Sequence, residues 1–142
     1  MKELKFRAFH KLNKKMFDAS MIDFVKKRIY HYSPTDYCKV YGFEDCELMQ
    51  FTGLKDIDEK EIFEGDVVEV EFDDYYSNSF FTIDEDLTHK GEIVFEGFGY
   101  YVKFPDMCFM SINDVVDYDF NIKILGNIYQ NSELLEINKW KN

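Results

Sequence analysis

The chain has 142 residues, with 17 Lys and Arg against 28 Asp and Glu and a formal net charge of -11, which fits one globular domain or a domain with a small appendage. Its 46% hydrophobic and 18% aromatic content excludes disorder along the whole chain, and no apolar run reaches the ~20 residues that a membrane-spanning helix needs. The charge is segregated: residues 1–39 hold 10 basic and 4 acidic residues (+6), residues 40–142 hold 7 and 24 (-17), and the two sum to -11.

Met1 to Arg7 alternates charged and apolar side chains and has no apolar h-region, so no secretory signal is expected. Leu4 to Phe9 alternates with period two, Lys11 to Lys15 reads as a polar turn, and Met16-Phe17 opens a second strand. Residues 3–24 are therefore expected to form a hairpin. Arg28 to Tyr32 is another short strand, stopped by Ser33-Pro34, and residues 33–45 read as irregular. Glu47 to Phe51 resumes an extended pattern that Thr52-Gly53 is expected to end.

The clearest strand follows. Val68, Val70 and Phe72 share one face while Glu69 and Glu71 take the other, the alternation of a half-buried antiparallel strand. Glu64-Gly65-Asp66 just before it reads as a turn, with Gly65 suited to a positive φ. Gly91 to Phe95 and Tyr100 to Phe104 are two further strands, joined by the short hairpin loop Glu96-Gly97-Phe98-Gly99. Short strands separated by Gly turns point to a small barrel or a strongly bent sheet. Between Phe72 and Gly91 lies a long acidic and aromatic connection with Tyr75, Tyr76, Phe80 and Phe81; exposed aromatics there would make a docking site. Ser111-Ile112-Asn113-Asp114 matches a helix-capping pattern, Ile122 to Leu125 reads as a strand ended by Gly126, and Asn131-Ser132 is placed to cap a short helix through Leu135.

Chemistry is sparsely signalled. Cys38, Cys46 and Cys108 form an odd set without a Cys-x-x-Cys and read as free thiols. His10, His31 and His89 are far apart and have no metal-spaced partners. Asp56-Ile57-Asp58 opens like a calcium loop, yet Lys60 and Glu61 stand where that loop wants an oxygen ligand and a glycine. No phosphate loop, nucleophile elbow or zinc helix is present. No cofactor and no catalytic residue is expected, and the chain reads as non-enzymatic. Lys14, Lys15, Lys26, Lys27 and Arg28, near Phe17, Phe24 and Tyr30, form a basic surface able to meet phosphates or an acidic protein. The acidic remainder would repel a long duplex, or alternatively mimic one.

Three blocks together resemble a known family: Lys5-Phe6-Arg7-Ala8-Phe9; Leu48 to Asp56 with Glu61 to Val68; and Ile124-Leu125-Gly126-Asn127-Ile128-Tyr129-Gln130-Asn131 with Leu134-Leu135. Their order and spacing resemble the YopX family of small phage and prophage proteins. The family usually carries Trp where Phe9 stands, and a tight Asn-Gly turn where Ile57-Asp58-Glu59 stands. The resemblance implies phage or prophage origin, a cytoplasmic site, a bifurcated sheet folded into a pseudo-barrel, and large homo-oligomers. It implies no assigned activity. The resulting expectation is a mainly β fold, a bent antiparallel sheet closing into a small pseudo-barrel with at most short helices. A basic β-hairpin arm would occupy residues 1–47 and an acidic pseudo-barrel with a short C-terminal helical segment residues 48–142. The expected role is a non-enzymatic oligomeric assembly or adaptor protein; the alternative is a module acting on nucleic acid or mimicking DNA. Another copy of the chain is the first expected partner, a host or phage protein the next, and no membrane partner is expected. The candidate interaction surface is Lys14, Lys15, Lys26, Lys27 and Arg28 with Tyr75, Tyr76, Phe80 and Phe81.

Overall fold

Period-two alternation of apolar and polar side chains becomes strand along most of the chain. The computed structural model describes residues 3–35, 37–72, 88–105 and 109–135. It is mainly β and divides into two units, residues 1–53 and 54–142.

In the first unit, β1 (Phe6–His10) pairs antiparallel with β2 (Lys15–Asp18), so the expected hairpin is present. The chain then enters a three-stranded antiparallel meander of β3 (Met21–Asp23), β4 (Arg28–His31) and β5 (Lys39–Gly42). A 3-10 turn at Phe43–Asp45 leads into the long β6 (Cys46–Lys55), which pairs with the other edge of β1. Ala8, Ile29 and Cys46 are buried, and Phe17, Tyr41, Phe43 and Leu48 pack against them. Phe17 and Tyr41 stack with ring centroids 4.6 Å apart, a geometry that adds to the burial of both rings.

Two expectations change here. Residues 39–45 are not irregular: Lys39 to Gly42 is a strand, and Phe43 to Asp45 a 3-10 turn. Tyr41 alone of that short strand reaches the core cluster, too brief a pattern to read, and pairing with β4 is what makes it a strand. Thr52-Gly53 does not end β6 either. Gly53 takes a φ of 90° inside the strand, open to a residue without a Cβ, and the strand continues to Lys55.

The second unit begins as β6 passes into it. The hairpin partner β7 (Glu61–Phe63) completes the sheet order β2-β1-β6-β7. The main sheet contains β8 (Asp66–Glu71), β9 (Thr88–Glu96), β10 (Gly99–Lys103), β11 (Phe109–Ser111) and β12 (Asn121–Asn127). Its order is β11-β10-β9-β8-β12 with every pair antiparallel, and it curls into a half-barrel. Val68, Val70, Ile93 and Val102 are wholly buried in its core with Phe72 and Phe104, and Leu54 packs against them. On the opposite face Glu69 stands between Lys90 and Lys123 in register, an arrangement of opposite charges that supports the sheet. The helix α1 (Ile112–Asp117) starts as the capping pattern predicts: Ser111 Oγ accepts from the Asn113 N–H at 3.3 Å. Ile112 and Val115 join the core. Gly65 has the expected positive φ, 87°. Gly126 does not end its strand; the register slips there, between Ile124 and Gly126, and pairing resumes to Asn127.

Gly91 is a tight point of the sheet, closed in by backbone. A Cβ there would lie 2.6 Å from Val102 Cγ1, 3.0 Å from the Lys103 carbonyl oxygen and 3.2 Å from Phe104 Cδ1. Backbone is among these neighbours, so a flexible side-chain tip cannot relieve the clash. Gly91→Ala is expected to cost about 1–3 kcal/mol, the range for an overpacked core, read as a lower denaturation midpoint with an unchanged slope. An unaltered midpoint would refute this packing.

Candidate functional site

The basic side chains named from sequence sit on two turns of the first unit. Lys14, at a φ of 54°, closes the β1–β2 turn by donating its N–H to the His10 carbonyl at 2.8 Å, and Lys15 opens β2. In the β3–β4 turn, Asp23 Oδ1 accepts from the N–H groups of Val25 (3.0 Å) and Lys26 (2.9 Å), the side-chain-capped turn that Asp favours. Lys27 follows at a φ of 55°.

Both turns anchor on the 3-10 turn at 43–45. The Lys27 carbonyl accepts from the Phe43 N–H at 3.0 Å, and the Asp45 carbonyl accepts from the Lys11 N–H at 3.0 Å. Lys11 Nζ adds a 3.2 Å hydrogen bond to the Glu44 carbonyl and a 3.5 Å ion pair with Glu47. The fold thus gathers Lys26, Lys27 and Arg28 around an open cleft of about 330 Å³ that Tyr41, Phe43, Glu44 and Asp45 also line. At the tip of the β3–β4 turn Phe24 is 66% and Val25 91% exposed, and Phe24 meets Phe43 edge-on at 6.0 Å. Cations beside exposed apolar side chains suit a macromolecular contact. Tyr75, Tyr76, Phe80 and Phe81, the rest of the predicted surface, lie outside the described residues. Sequence reasoning missed Val25, Tyr41 and Phe43 as parts of this surface; the Asp23-x-Val25-Lys26 turn chemistry was the available signal.

The buried polar groups of the second unit are engaged internally. Asp56 Oδ1 accepts from the N–H groups of Asp58 and Lys60, both at 2.9 Å, and Oδ2 accepts from the Ile124 N–H at 3.0 Å. Burial alone would raise the carboxyl pKa; the three backbone donors from Ile124, Lys60 and Asp58, with the Lys60 charge, outweigh it and hold the group below its ordinary value. The segment that opens like a calcium loop is therefore a backbone clamp. Asp66 Oδ2 accepts from the Phe63 N–H at 2.8 Å. Asn127 Oδ1 accepts from the N–H groups of Tyr129 and Gln130, and its Nδ2 donates to Gln130 Oε1 at 2.9 Å. Burial raises the Glu92 carboxyl, Lys103 opposes the shift and Glu64 reinforces it. Among the described residues no group of three or more His, Cys, Asp or Glu side chains is placed to hold a metal ion. His10, His31 and His89 stand on different strands, β1, β4 and β9. Cys38 is a free exposed thiol; Cys46 is free and buried, and burial pushes its thiol up. No helix among the described residues is long and apolar enough to cross a membrane.

The family model described as YopX protein matches residues 5–136. Among solved structures, the chain is similar to a crystal structure of protein EF1440 from Enterococcus faecalis. The two share 25% identity over 95% of this chain and 99% of that one, with a TM-score of 0.59. No curated protein matches the chain.

Because the folded Asp56 pKa lies below its unfolded value of about 3.9, its contribution is fully present above that value and is lost as pH falls through the folded pKa. Asp56→Ala leaves three backbone donors without their acceptor and is expected to cost about 1–3 kcal/mol. Asp56→Asn removes the ionisation, so its melting-temperature gap to the parent should be widest near pH 6 and close towards pH 2; a gap constant with pH would refute the clamp.

Proposed function

The chain belongs to the YopX family, and on that premise we propose that it is a non-enzymatic assembly or adaptor protein, phage- or prophage-encoded and cytoplasmic, that works as a homo-oligomer. The observation carrying this reading is the joining of two basic turns beside the cleft at Lys26, Lys27 and Arg28, next to the exposed Phe24 and Val25. Charge gives that surface its natural counterpart. Residues 1–53 hold 10 basic and 7 acidic side chains (+3), and residues 54–142 hold 7 and 21 (-14), which sum to -11. Segregated opposite charge on identical chains favours head-to-tail association. The buried Asp56, Asp66 and Asn127 are engaged with backbone amides and not arranged around a reacting group, which supports a binding role.

A protein partner suits the surface better than nucleic acid. Lys11 is already paired with Glu47, and Glu44 and Asp45 line the cleft together with the cations, so phosphates entering it would meet carboxylates. A host or phage protein is the natural further partner for an adaptor of this kind.

Size-exclusion chromatography with light scattering tests the reading. The expected result is a discrete multiple of 17.1 kDa at about 50 mM salt that falls at about 500 mM, where screening is strong. K26E/K27E/R28E should lower the mass at low salt. A 17.1 kDa species at both salts would overturn it.

A further inference from the structure

β5 is an edge strand. In the sheet order β3-β4-β5 one side of it pairs with β4 and, among the described residues, no strand pairs with the other. An open edge offers its backbone donors and acceptors to another strand. Which groups β5 offers follows from one bond. The Phe43 N–H donates to the Lys27 carbonyl at 3.0 Å, and the register then runs unbroken from Arg28 opposite Gly42 to His31 opposite Lys39. Hydrogen-bonded and non-hydrogen-bonded pairs alternate along such a ladder. Tyr41 and Lys39 therefore direct their backbone groups to β4, while Val40 and Gly42 direct theirs outward. No proline and no register shift interrupts the strand, and Val and Tyr both favour extended backbone.

The side chains of β5 suit a copy of the same strand running the opposite way. Val40 is 50% exposed on one face. Gly42, two residues on, presents no side chain there, and a Cβ on it would meet only the Asp45 carboxylate, at 3.4 Å. On the other face Tyr41 is half-buried and stacked on Phe17. Exposed Lys39 opens the strand, and exposed Glu44 lies two residues past its end. We propose that β5 pairs antiparallel with β5 of a second copy of this chain, about a two-fold axis at Tyr41, joining two meanders into one six-stranded sheet. Val40 then exchanges both backbone bonds with Gly42 of the second copy, and its side chain stands over the position that has none. Tyr41 meets its own counterpart in the closer, non-hydrogen-bonded kind of pair, where facing aromatic rings add stability. Lys39 comes to the Glu44 end of the other strand, whereas a parallel alignment would set lysine beside lysine. A two-fold contact of this kind can coexist with head-to-tail contacts in one closed assembly. It rests on the assembly reading above and adds to it an interface held by backbone bonds.

Val40→Pro removes an outward donor and leaves the bonds to β4 in place. It is expected to keep the parent's circular dichroism and to halve the light-scattering mass at about 50 mM salt. Disulfide trapping reads the register without relying on that variant. In a C38S/C108S background, with Cys46 buried, chains carrying V40C and chains carrying G42C are mixed in equal amounts under mild oxidation. The paired Cα atoms lie about 5.5 Å apart, inside the range of about 4.4–6.8 Å that a disulfide spans, so a covalent dimer is expected on a non-reducing gel. Either variant alone places its two cysteines on a diagonal of about 7–8 Å and is expected not to link. No link in the mixture, or V40C linking to itself, overturns the proposal. A parent oligomer whose mass V40P leaves unchanged overturns it too, while assembly through charge stands. A parent dimer indifferent to salt that V40P makes monomeric supports the edge contact and overturns the charge-driven reading. A parent that is monomeric at both salts overturns both.

Discussion

One carboxylate decides whether the half-barrel has a finished edge. Asp56 accepts three backbone N–H groups, two within its own turn and one from Ile124 on β12. The Ile57 N–H adds a bond to the Ile122 carbonyl at 3.0 Å. β12 is the last strand of its sheet, and an unpaired last strand offers its backbone to other chains. The Asp56 turn covers that edge where a further strand would otherwise lie. The cost of burying a carboxylate is offset only because every donor is a fixed backbone amide, and such bonds are stronger to an ionised acceptor than to a neutral one.

The other end of β12 depends on a similar device. Past the register slip at Gly126, Asn127 turns the chain with its side-chain amide, and the Ile128 N–H donates to the Gly65 carbonyl at 2.9 Å. Gly65 in turn donates its N–H to the Ile93 carbonyl at 2.8 Å. A Cβ on Gly126 would collide with the Asn131 side chain, and so would displace the amide oxygen that accepts from the Asn127 N–H. Asp56, Gly65, Asp66, Gly126, Asn127 and Asn131 all belong to the blocks that carry the family resemblance. Their work is to finish turns and edges of the β framework. The residues that identify the family therefore report its fold, and the contact surface proposed above lies elsewhere, on turns such as Asp23 to Arg28.

What could be read in advance follows from how local each cause is. Val68, Val70 and Phe72 against Glu69 and Glu71 announced a half-buried strand because period-two alternation is written in adjacent residues. Ser111 announced its helix for the same reason. Lys39 to Gly42 announced nothing, since its strand state depends on pairing with Arg28 to His31. Asp56 was misleading on its face: its neighbours look like the start of a cation loop, while one of its three partners is 68 residues away. Lys26, Lys27 and Arg28 were legible as charge, but the cleft beside them was not, because the rest of its lining comes from the strand and 3-10 turn of Val40 to Asp45, which the sequence hid. Gly53 read as a stop because glycine usually punctuates strands; here its freedom of φ lets one strand continue through a positive φ.

Charge and apolar surface have different tasks at the basic face. Attraction between a +3 unit and a -14 unit is long in range, weak in direction and screened by salt. In the proposed assembly it would speed encounter between copies without fixing how they meet. Direction would have to come from shape and from short-range contacts, such as the exposed Val25 and the Phe24 ring held edge-on against Phe43. The turn that presents them is held on both sides, by the Asp23 carboxylate beneath Val25 and Lys26 and by the Lys27 carbonyl bonded to Phe43. A turn fixed in this way loses little conformational freedom when a partner arrives, so more of the contact energy remains as affinity.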